Sequence, residues 1–195
     1  MEITTDTIKK LRDMTGGVSI MQCKKALEEA EGDLEKAKVI LKKLSSAAAE
    51  KKSERELKAG ILGSYMHEGS IGAMVILSCE SDFVAKNPEF GALAREVAMQ
   101  VAATDPKYAT TADINEEAKQ AAMSVFEGEV AGKPADMQAK ILEGKMASYF
   151  RDQVLAEQPF IKDETKTVRN LLDEATQKFG ERIEISRFVR LSVRS

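Results

Sequence analysis

The residue types that most often perform catalysis or bind metals are scarce in this sequence. It contains one histidine, His67, and two cysteines, Cys23 and Cys79, which lie far apart along the chain. A structural zinc site needs four such ligands, so this set cannot build one within a single chain. His67 falls in a predicted turn, where a solvent-exposed residue is a commoner interpretation than a general base. We therefore expect neither enzymatic activity nor a metal or organic cofactor.

The glycine-rich motifs that bind phosphates are also incomplete. A phosphate-binding loop ends in Gly-Lys followed by Ser or Thr, but here Gly144-Lys145 precedes Met146 and Gly132-Lys133 precedes Pro134. The glycines between the two predicted strands lack the third glycine of a dinucleotide-binding turn. The sequence therefore predicts no direct binding of a nucleotide.

One unusual segment follows a predicted strand, at residues 79–88. Asp82 and Phe83 place a carboxylate beside a large ring at a strand-to-helix turn. In one interpretation, Ser81 or Asp82 caps a short helix and Phe83 packs inward. In the other, Phe83 projects outward and contacts a partner protein. Residue pattern alone leaves both open.

A second unusual segment precedes a predicted helix, at residues 16–21. Val18, Ile20 and Met21 are apolar and close together, and a small helical bundle cannot bury all three. They could form a hydrophobic staple around the start of the helix. Alternatively, they form an exposed patch that receives a helix of a partner.

The elements that position the second segment form a helical unit over residues 1–44. Helices are predicted from Thr5 to Met14 and from Ser19 to Ala30, and Asp33 is predicted to cap a third helix. Apolar residues recur at three- and four-residue spacing through the second and third helices, which favours a three-helix bundle. Residues 45–58 are rich in alanine and charge and are predicted to be a solvated helical linker.

Residues 59–195 are predicted to form an α+β core and dimerisation domain. Two apolar runs, Ile61–Met66 and Ala73–Cys79, flank a glycine-rich turn and predict a β-hairpin. A closing strand with a bulge is predicted from Arg182 to Val193. The helices between them are predicted at 87–103, 113–130, 134–157 with a kink near Gly144, and 165–179. These strands can form one small three-stranded antiparallel sheet, with one face left for a second subunit, so we predict a homodimer.

Composition and charge argue against several other classes. Hydrophobic residues make up 43% of the chain and charged residues 31%, a balance typical of folded domains. The net charge of -3 gives no electrostatic reason to expect nucleic acid as a partner. The N-terminus lacks the apolar run of a signal peptide, and no segment approaches the roughly 18 apolar residues of a membrane span. Because no disulfide pattern is present, we expect a cytoplasmic location. Because no membrane span is predicted, we also expect no membrane partner.

Several motifs together resemble the elongation factor Ts family over nearly the whole chain. Residues 79–86 read Cys-Glu-Ser-Asp-Phe-Val-Ala-Lys, which is similar to the family signature except that Ser81 replaces a threonine. Residues 61–69 resemble the hairpin of the family. In the N-terminal unit, residues 11–16 and 21–27 resemble a second signature, in which Gln22 replaces an acidic residue.

This resemblance implies a ubiquitin-associated-like three-helix module followed by the α+β core. It implies a guanine-nucleotide exchange factor in translation elongation, whose partner is the GTPase elongation factor Tu. The residues at positions that match contacts in the family are Asp82, Phe83, Ser81, Val84, Arg12, Ile20, Met21 and Lys24. Asp82 and Phe83 would enter near the magnesium and phosphate site of the GTPase without touching GDP.

Three alternative functions have different sequence requirements. An adaptor that binds helices or short peptides without driving exchange is compatible with the N-terminal unit. A small enzyme is disfavoured because no catalytic constellation is present. An RNA-binding module is disfavoured by the acidic charge and by the lack of an aromatic and basic platform.

Overall fold

A computed structural model describes residues 3–130 and 134–194 of the chain. The helices are α1 Thr5–Met14, α2 Ile20–Glu29, α3 Leu34–Glu50, α4 Asp82–Ala85, α5 Pro88–Thr104, α6 Glu116–Val130, α7 Ala135–Arg151 and α8 Val168–Phe179. The strands are β1 Ala59–His67, β2 Ile71–Cys79, β3 Pro159–Phe160, β4 Asp163–Thr167 and β5 Glu184–Ser192. The helix break predicted at Gly132-Lys133 lies outside the described residues.

Local capping explains where the three N-terminal helices begin. Thr4 and Thr7 form a reciprocal capping box at α1, and Ser19 accepts a hydrogen bond from the backbone of Gln22 at α2. Asp33 caps α3 by accepting two backbone N–H groups. The buried side chains of this unit form their own core: Ile8, Leu11, Val18, Cys23, Ala26, Leu27, Ala30, Ala37 and Leu41. The structure thus contains the helical N-terminal module that the sequence predicts.

The third helix continues beyond the predicted boundary at residue 44. It extends to Glu50 and packs against α8. Ser45 is 1% exposed, and the Ser46 hydroxyl donates to the Asp173 carboxylate over 2.8 Å. The first part of the predicted solvated linker is therefore packed against the core, because α8 covers one side of it. The division into three segments itself stays a prediction.

The central sheet has the strand order β1-β2-β5, with both pairs antiparallel. A bulge at Ser186 shifts the register, since Ile76 pairs with Arg187 whereas Leu77 pairs with Ile185. This confirms the predicted α+β fold and its three-stranded antiparallel sheet, which joins strands more than 100 residues apart in sequence.

Helix α5 covers the inner face of this sheet. Gly63 on β1 allows the close approach, because a Cβ atom there would lie 2.4 Å from the backbone carbonyl of Ala94 on α5. Phe90, Val97 and Val101 of α5 are fully buried with Val75 of β2 in the largest hydrophobic core. The inner face and α5 therefore provide the rigid support for the ends of the strands.

The outer face of the sheet carries a row of exposed apolar side chains. In the observed register, Leu62 lies opposite Ile76, and Met74 lies opposite Val189. Six apolar residues on this face are 39–71% exposed: Leu62, Met66, Met74, Ile76, Val189 and Leu191. This is the incompletely covered sheet face that the sequence predicts.

Several predicted helix boundaries were wrong. Helix α6 is capped by Asn115, whose side chain accepts from the backbone of Ala118, rather than by Asp113, which lies in a preceding 3-10 turn. Helix α7 passes through Gly144 and ends at Arg151. A single glycine in a helix whose other hydrogen bonds are kept does not require a kink.

The segment before the last helix was also predicted wrongly. Residues 163–167 form strand β4, which pairs with β3, and α8 begins only at Val168. Thr167 and Asn170 form a capping box there, so the helix cannot begin at Thr165. The C-terminal end of α8 was predicted correctly, because Gly180 adopts the left-handed conformation of a helix cap.

Candidate interaction site

The segment that follows β2 is a tightly bonded turn. Ser81 caps α4, and its hydroxyl accepts from the backbone of Val84. The backbone of Lys86 donates to the carbonyl of Asp82 over 3.1 Å, which closes this single helical turn. Asn87 then caps α5, with Pro88 in its first turn. Two consecutive caps therefore fix the backbone on both sides of Asp82 and Phe83.

Phe83 points away from the protein. Its side chain is 85% exposed, the highest value among the large hydrophobic residues of the described chain. Asp82 is exposed as well, whereas Val84 and Ala85 are 3% and 7% exposed and belong to the core. One face of α4 therefore holds the turn on the sheet while the other presents a ring and a carboxylate to solvent.

The structure separates the four predicted contacts on this turn into two groups. Asp82 and Phe83 are accessible, and Ser81 is half-buried at the cap. Val84 packs inward, so in this structure its side chain supports the turn rather than forming part of the surface. Its predicted contact with a partner stays a prediction.

The N-terminal module presents a second accessible apolar pair. Gly16 and Gly17 have φ angles of 70° and 91°, which reverse the chain after α1. Val18 then turns inward and is 2% exposed, while Ile20 and Met21, in the first turn of α2, are 58% and 69% exposed. This geometry matches the exposed-patch interpretation of the segment.

Two charged residues of the module belong to the same predicted contact. Arg12 is exposed in the last turn of α1. Lys24 is exposed one turn after Ile20 and forms a 3.8 Å ion pair with Glu28. Such an exposed pair contributes little to stability, so Lys24 can leave it to bind a partner.

Lys178 of α8 connects the two predicted contact regions. Its Nζ atom lies 3.1 Å from the carboxylate of Glu89, in the first turn of α5. The same amine would lie 3.5 Å from a Cβ atom on Gly17, in the loop before α2. The loop of the module and the first turn of α5 therefore lie on either side of one lysine.

Comparison with known proteins now gives the family. A sequence model described as Elongation factor TS matches residues 18–195. Elongation factor Ts of Thermodesulfovibrio yellowstonii is 44% identical over 194 residues, which cover 99% of this chain and 97% of that protein. This chain belongs to the elongation factor Ts family. It is therefore a translation elongation factor, which acts in protein biosynthesis.

Other members of the elongation factor Ts family match to a similar extent. The protein of Thermotoga neapolitana is 45% identical over 194 residues and is covered to 98% of its length. The protein of Carboxydothermus hydrogenoformans is 43% identical over 194 residues, with 89% of its length covered. The family resemblance found in the motifs is confirmed over nearly the whole chain.

The described residues can also be compared with the requirements for a membrane span and for a metal site. Across the part of the chain that the structure describes, no helix combines the length and apolar character needed to cross a membrane. The same residues do not bring together three or more His, Cys, Asp or Glu side chains that could hold a metal ion.

The sequence motifs do not include Glu181, although it contacts Glu80 and Ser81, the residues at the base of the turn that carries Asp82 and Phe83. Its carboxylate accepts from the backbone N–H groups of Glu80 and Ser81 and from the Ser81 hydroxyl. The thiol of Cys79 donates to the carbonyl of Ser81, and burial, with the nearby charge of Glu181, raises the pKa of this thiol. Glu181 lies 100 residues beyond Ser81, and no local pattern in the sequence connects them.

Proposed function

We propose that this chain stimulates GDP release from elongation factor Tu by inserting Asp82 and Phe83 near the magnesium and phosphate site of that GTPase. The observation that carries the proposal is the exposed Phe83 ring on a doubly capped turn. An apolar ring held in water by a rigid backbone is available to a partner without any rearrangement. Membership of the elongation factor Ts family supports the choice of partner.

The exchange reaction requires differential binding rather than covalent chemistry. The factor has to bind the nucleotide-free GTPase more tightly than the GDP-bound form, and GDP weakens its binding by the same factor. Weakening GDP affinity by about 10⁴-fold requires roughly 5.5 kcal/mol of differential binding. We therefore propose that the chain acts as a non-enzymatic factor that makes no contact with GDP itself.

A single ring cannot provide that free energy. Burial of a phenylalanine contributes about 1.5–3 kcal/mol, so a second contact is needed. The exposed Ile20 and Met21, with the neighbouring Arg12 and Lys24, are suited to hold the nucleotide domain of the partner. Asp82 would then disturb the coordination of magnesium while the module keeps the complex together.

The direct test replaces Phe83 with alanine and measures GDP release from elongation factor Tu by stopped-flow fluorescence. We expect Phe83→Ala to slow stimulated release by roughly tenfold or more, since about 1.4 kcal/mol corresponds to a factor of ten. Because the ring is exposed, the thermal midpoint should not change. Val125→Ala on α6, where the side chain is 63% exposed, is the matched control. With this variant, elongation factor Tu should release GDP at the same rate as with the unaltered chain.

The same measurement separates exchange from the adaptor function. If the unaltered chain binds elongation factor Tu without accelerating GDP release, it is an adaptor and the proposal is wrong. An unchanged release rate with Phe83→Ala would reject insertion of the ring while leaving exchange activity intact.

We also propose that the chain forms a homodimer through the outer face of its sheet. The exposed apolar residues of this face lie in adjacent rows across three strands, and Arg187 is the charged residue at one end. Two such faces can pack on each other at the spacing of about 10 Å that sheets adopt. A second copy suits this surface because an isologous contact matches apolar rows with apolar rows.

We further propose that the chain acts in the cytoplasm. Its two cysteines, Cys23 and Cys79, are both free and buried. Burial raises the pKa of each thiol, which keeps both in the unreactive protonated form. A reducing compartment where translation takes place is compatible with this chemistry.

A further inference from the structure

The carboxylate of Glu181 replaces the strand pairing that ends at the base of the turn. The paired residues of β2 end at Cys79, so the next two backbone N–H groups lack a partner strand. Both donate to Glu181 Oε2 over 3.0 Å, from Glu80 and from Ser81. The Ser81 hydroxyl donates to the other oxygen, Oε1, over 2.5 Å. One side chain therefore satisfies three donors in a row.

The three hydrogen bonds to Glu181 have a carboxylate as the acceptor. Hydrogen bonds to an ionised carboxylate are shorter and roughly twice as strong as those between neutral groups. All three are partly buried, where competition from water is reduced. The Ser81 hydroxyl also accepts from the backbone of Val84, so the contact with Glu181 extends into α4.

A second carboxylate makes the reciprocal contact. Glu80 Oε1 accepts from the backbone N–H of Arg182 over 2.6 Å and lies 3.3 Å from the guanidinium of Arg55. The guanidinium of Arg182 donates to the backbone carbonyl of Arg55 and to the carboxylate of Glu184. The base of the turn is thus joined to the start of β5 and to the segment before β1.

We propose that Glu181 is a positioning residue for nucleotide exchange, because it holds the Asp82-Phe83 turn at a defined angle to the sheet. This inference rests on the proposed function, in which Phe83 enters the GTPase. The ring is two residues from the bonded Ser81, so a change in the direction of the chain at Ser81 moves the ring. A rigid turn makes the exposed ring effective, since no free energy is lost in ordering it on binding.

The test begins with the free protein. In Glu181→Ala, we expect the backbone N–H groups of Glu80 and Ser81 to exchange with solvent at least about tenfold faster, measured by nuclear magnetic resonance. Glu181→Gln keeps an oxygen that can accept from both groups and should give an intermediate rate. Glu164→Ala removes an exposed carboxylate of β4 and serves as the control, with no change expected.

The second measurement is GDP release from elongation factor Tu. We expect Glu181→Ala to slow stimulated release by roughly tenfold to a hundredfold, as a displacement of about 1 Å does at other sites that depend on orientation. Glu181→Gln should restore part of the rate. In a Phe83→Ala background, Glu181→Ala should have a smaller further effect, because only Asp82 is then left for the turn to position.

The outcomes separate this inference from the proposed function. Unchanged N–H exchange at Glu80 and Ser81 in Glu181→Ala would overturn the inference alone, as would a full effect of Glu181→Ala in the Phe83→Ala background. A normal release rate in Phe83→Ala would overturn the proposed function and, with it, the role of Glu181 in exchange. If Glu181→Ala does not fold, Glu181→Gln, which keeps an acceptor at this position, gives the same readouts with smaller changes.

Discussion

At the scale of single residues, the site depends on a division within one helical turn. Asp82 and Phe83 face solvent, whereas Val84 and Ala85 pack into the core, although all four are adjacent in sequence. The buried pair resists rotation of α4, because turning Phe83 inward would expose Val84. The outward orientation of the Phe83 ring is therefore maintained by the burial of Val84 and Ala85, not by contacts of the ring itself.

A second residue-scale feature is the carboxyl group of Asp173, which links α8 to α3. Partial burial raises its pKa, and the hydrogen bond from Ser46 and the charge of Arg169 offset this only in part. The folded pKa is thus above the unfolded value of about 3.9. The ionised group opposes folding at neutral pH, and this penalty disappears as the pH falls below the unfolded pKa.

Replacement of Asp173 by asparagine should therefore stabilise the protein at pH 7. The amide keeps an acceptor for Ser46 and removes the partly desolvated charge. We expect a higher urea midpoint at pH 7, and the difference should shrink as the pH is lowered toward 4. Chemical denaturation at several pH values, followed by circular dichroism, measures this.

Asp163 provides a control of opposite sign. Hydrogen bonds from Thr165 lower the pKa of its carboxyl group, so this group stabilises the fold above the unfolded pKa and loses that contribution as the pH falls through the folded pKa. Asp163→Asn should lower the urea midpoint at pH 7. Equal shifts for both variants would contradict the assignment of burial as the cause at Asp173.

At the scale of elements, the close contact of α5 with β1 holds the sheet and the turn together. The turn lies between β2 and α5, so a shift of this helix against the sheet moves one end of the turn relative to the other. Gly63 is the point of closest approach, where a Cβ atom would overlap the backbone of Ala94. Backbone atoms cannot move away as the end of a flexible side chain can.

Gly63→Ala should consequently destabilise the protein by about 1–3 kcal/mol or more, the range observed for overpacking in cores. Gly128→Ala, in the last turn of α6, is the matched control, because a Cβ atom there meets nothing within 4 Å. That change should stabilise the protein by up to about 1 kcal/mol, the helix propensity difference between alanine and glycine. Urea denaturation of both variants measures the two effects. Similar stabilities would contradict the close packing at Gly63.

At the scale of the whole molecule, the outer face of the sheet predicts the oligomeric state. Because Met74 lies on the central strand of this face, between Ser64 of β1 and Val189 of β5, Met74→Lys would place a charge where the proposed dimer excludes water. We expect the unaltered chain to have twice its mass of 21.4 kDa in light scattering coupled to gel filtration, and the variant to be a monomer. Met137→Lys on α7, where the side chain is 50% exposed, should leave the dimer intact.

Two results would contradict the dimer. If the lysine variant of the sheet face keeps the mass of a dimer, this face is not the interface. An unaltered chain of 21.4 kDa at high micromolar concentration would reject the dimer itself. Stimulated GDP release by the monomeric variant would show separately whether exchange needs two copies.

The sequence by itself determined the features that depend on a few neighbouring residues. Ser19 and Asp33 cap helices as predicted, and the glycine-rich turn joins the first two strands. Capping and turn formation use backbone groups within about four residues, so the local pattern contains the necessary information. The signature around Asp82 and Phe83 likewise identified the family, and it predicts the place of the site.

Only the tertiary structure decided how that site is presented. The sequence left the direction of Phe83 open, because it depends on whether Val84 or the ring fits the core beside α5. Glu181 was missed because its bonds to Ser81 span 100 residues and exist only once β5 pairs with β2. Likewise, β4 replaced the predicted start of the last helix because its pairing with β3 is a contact between strands that no helical pattern reveals. Orientation and support at this site arise from contacts distant in sequence, which depend on the whole fold.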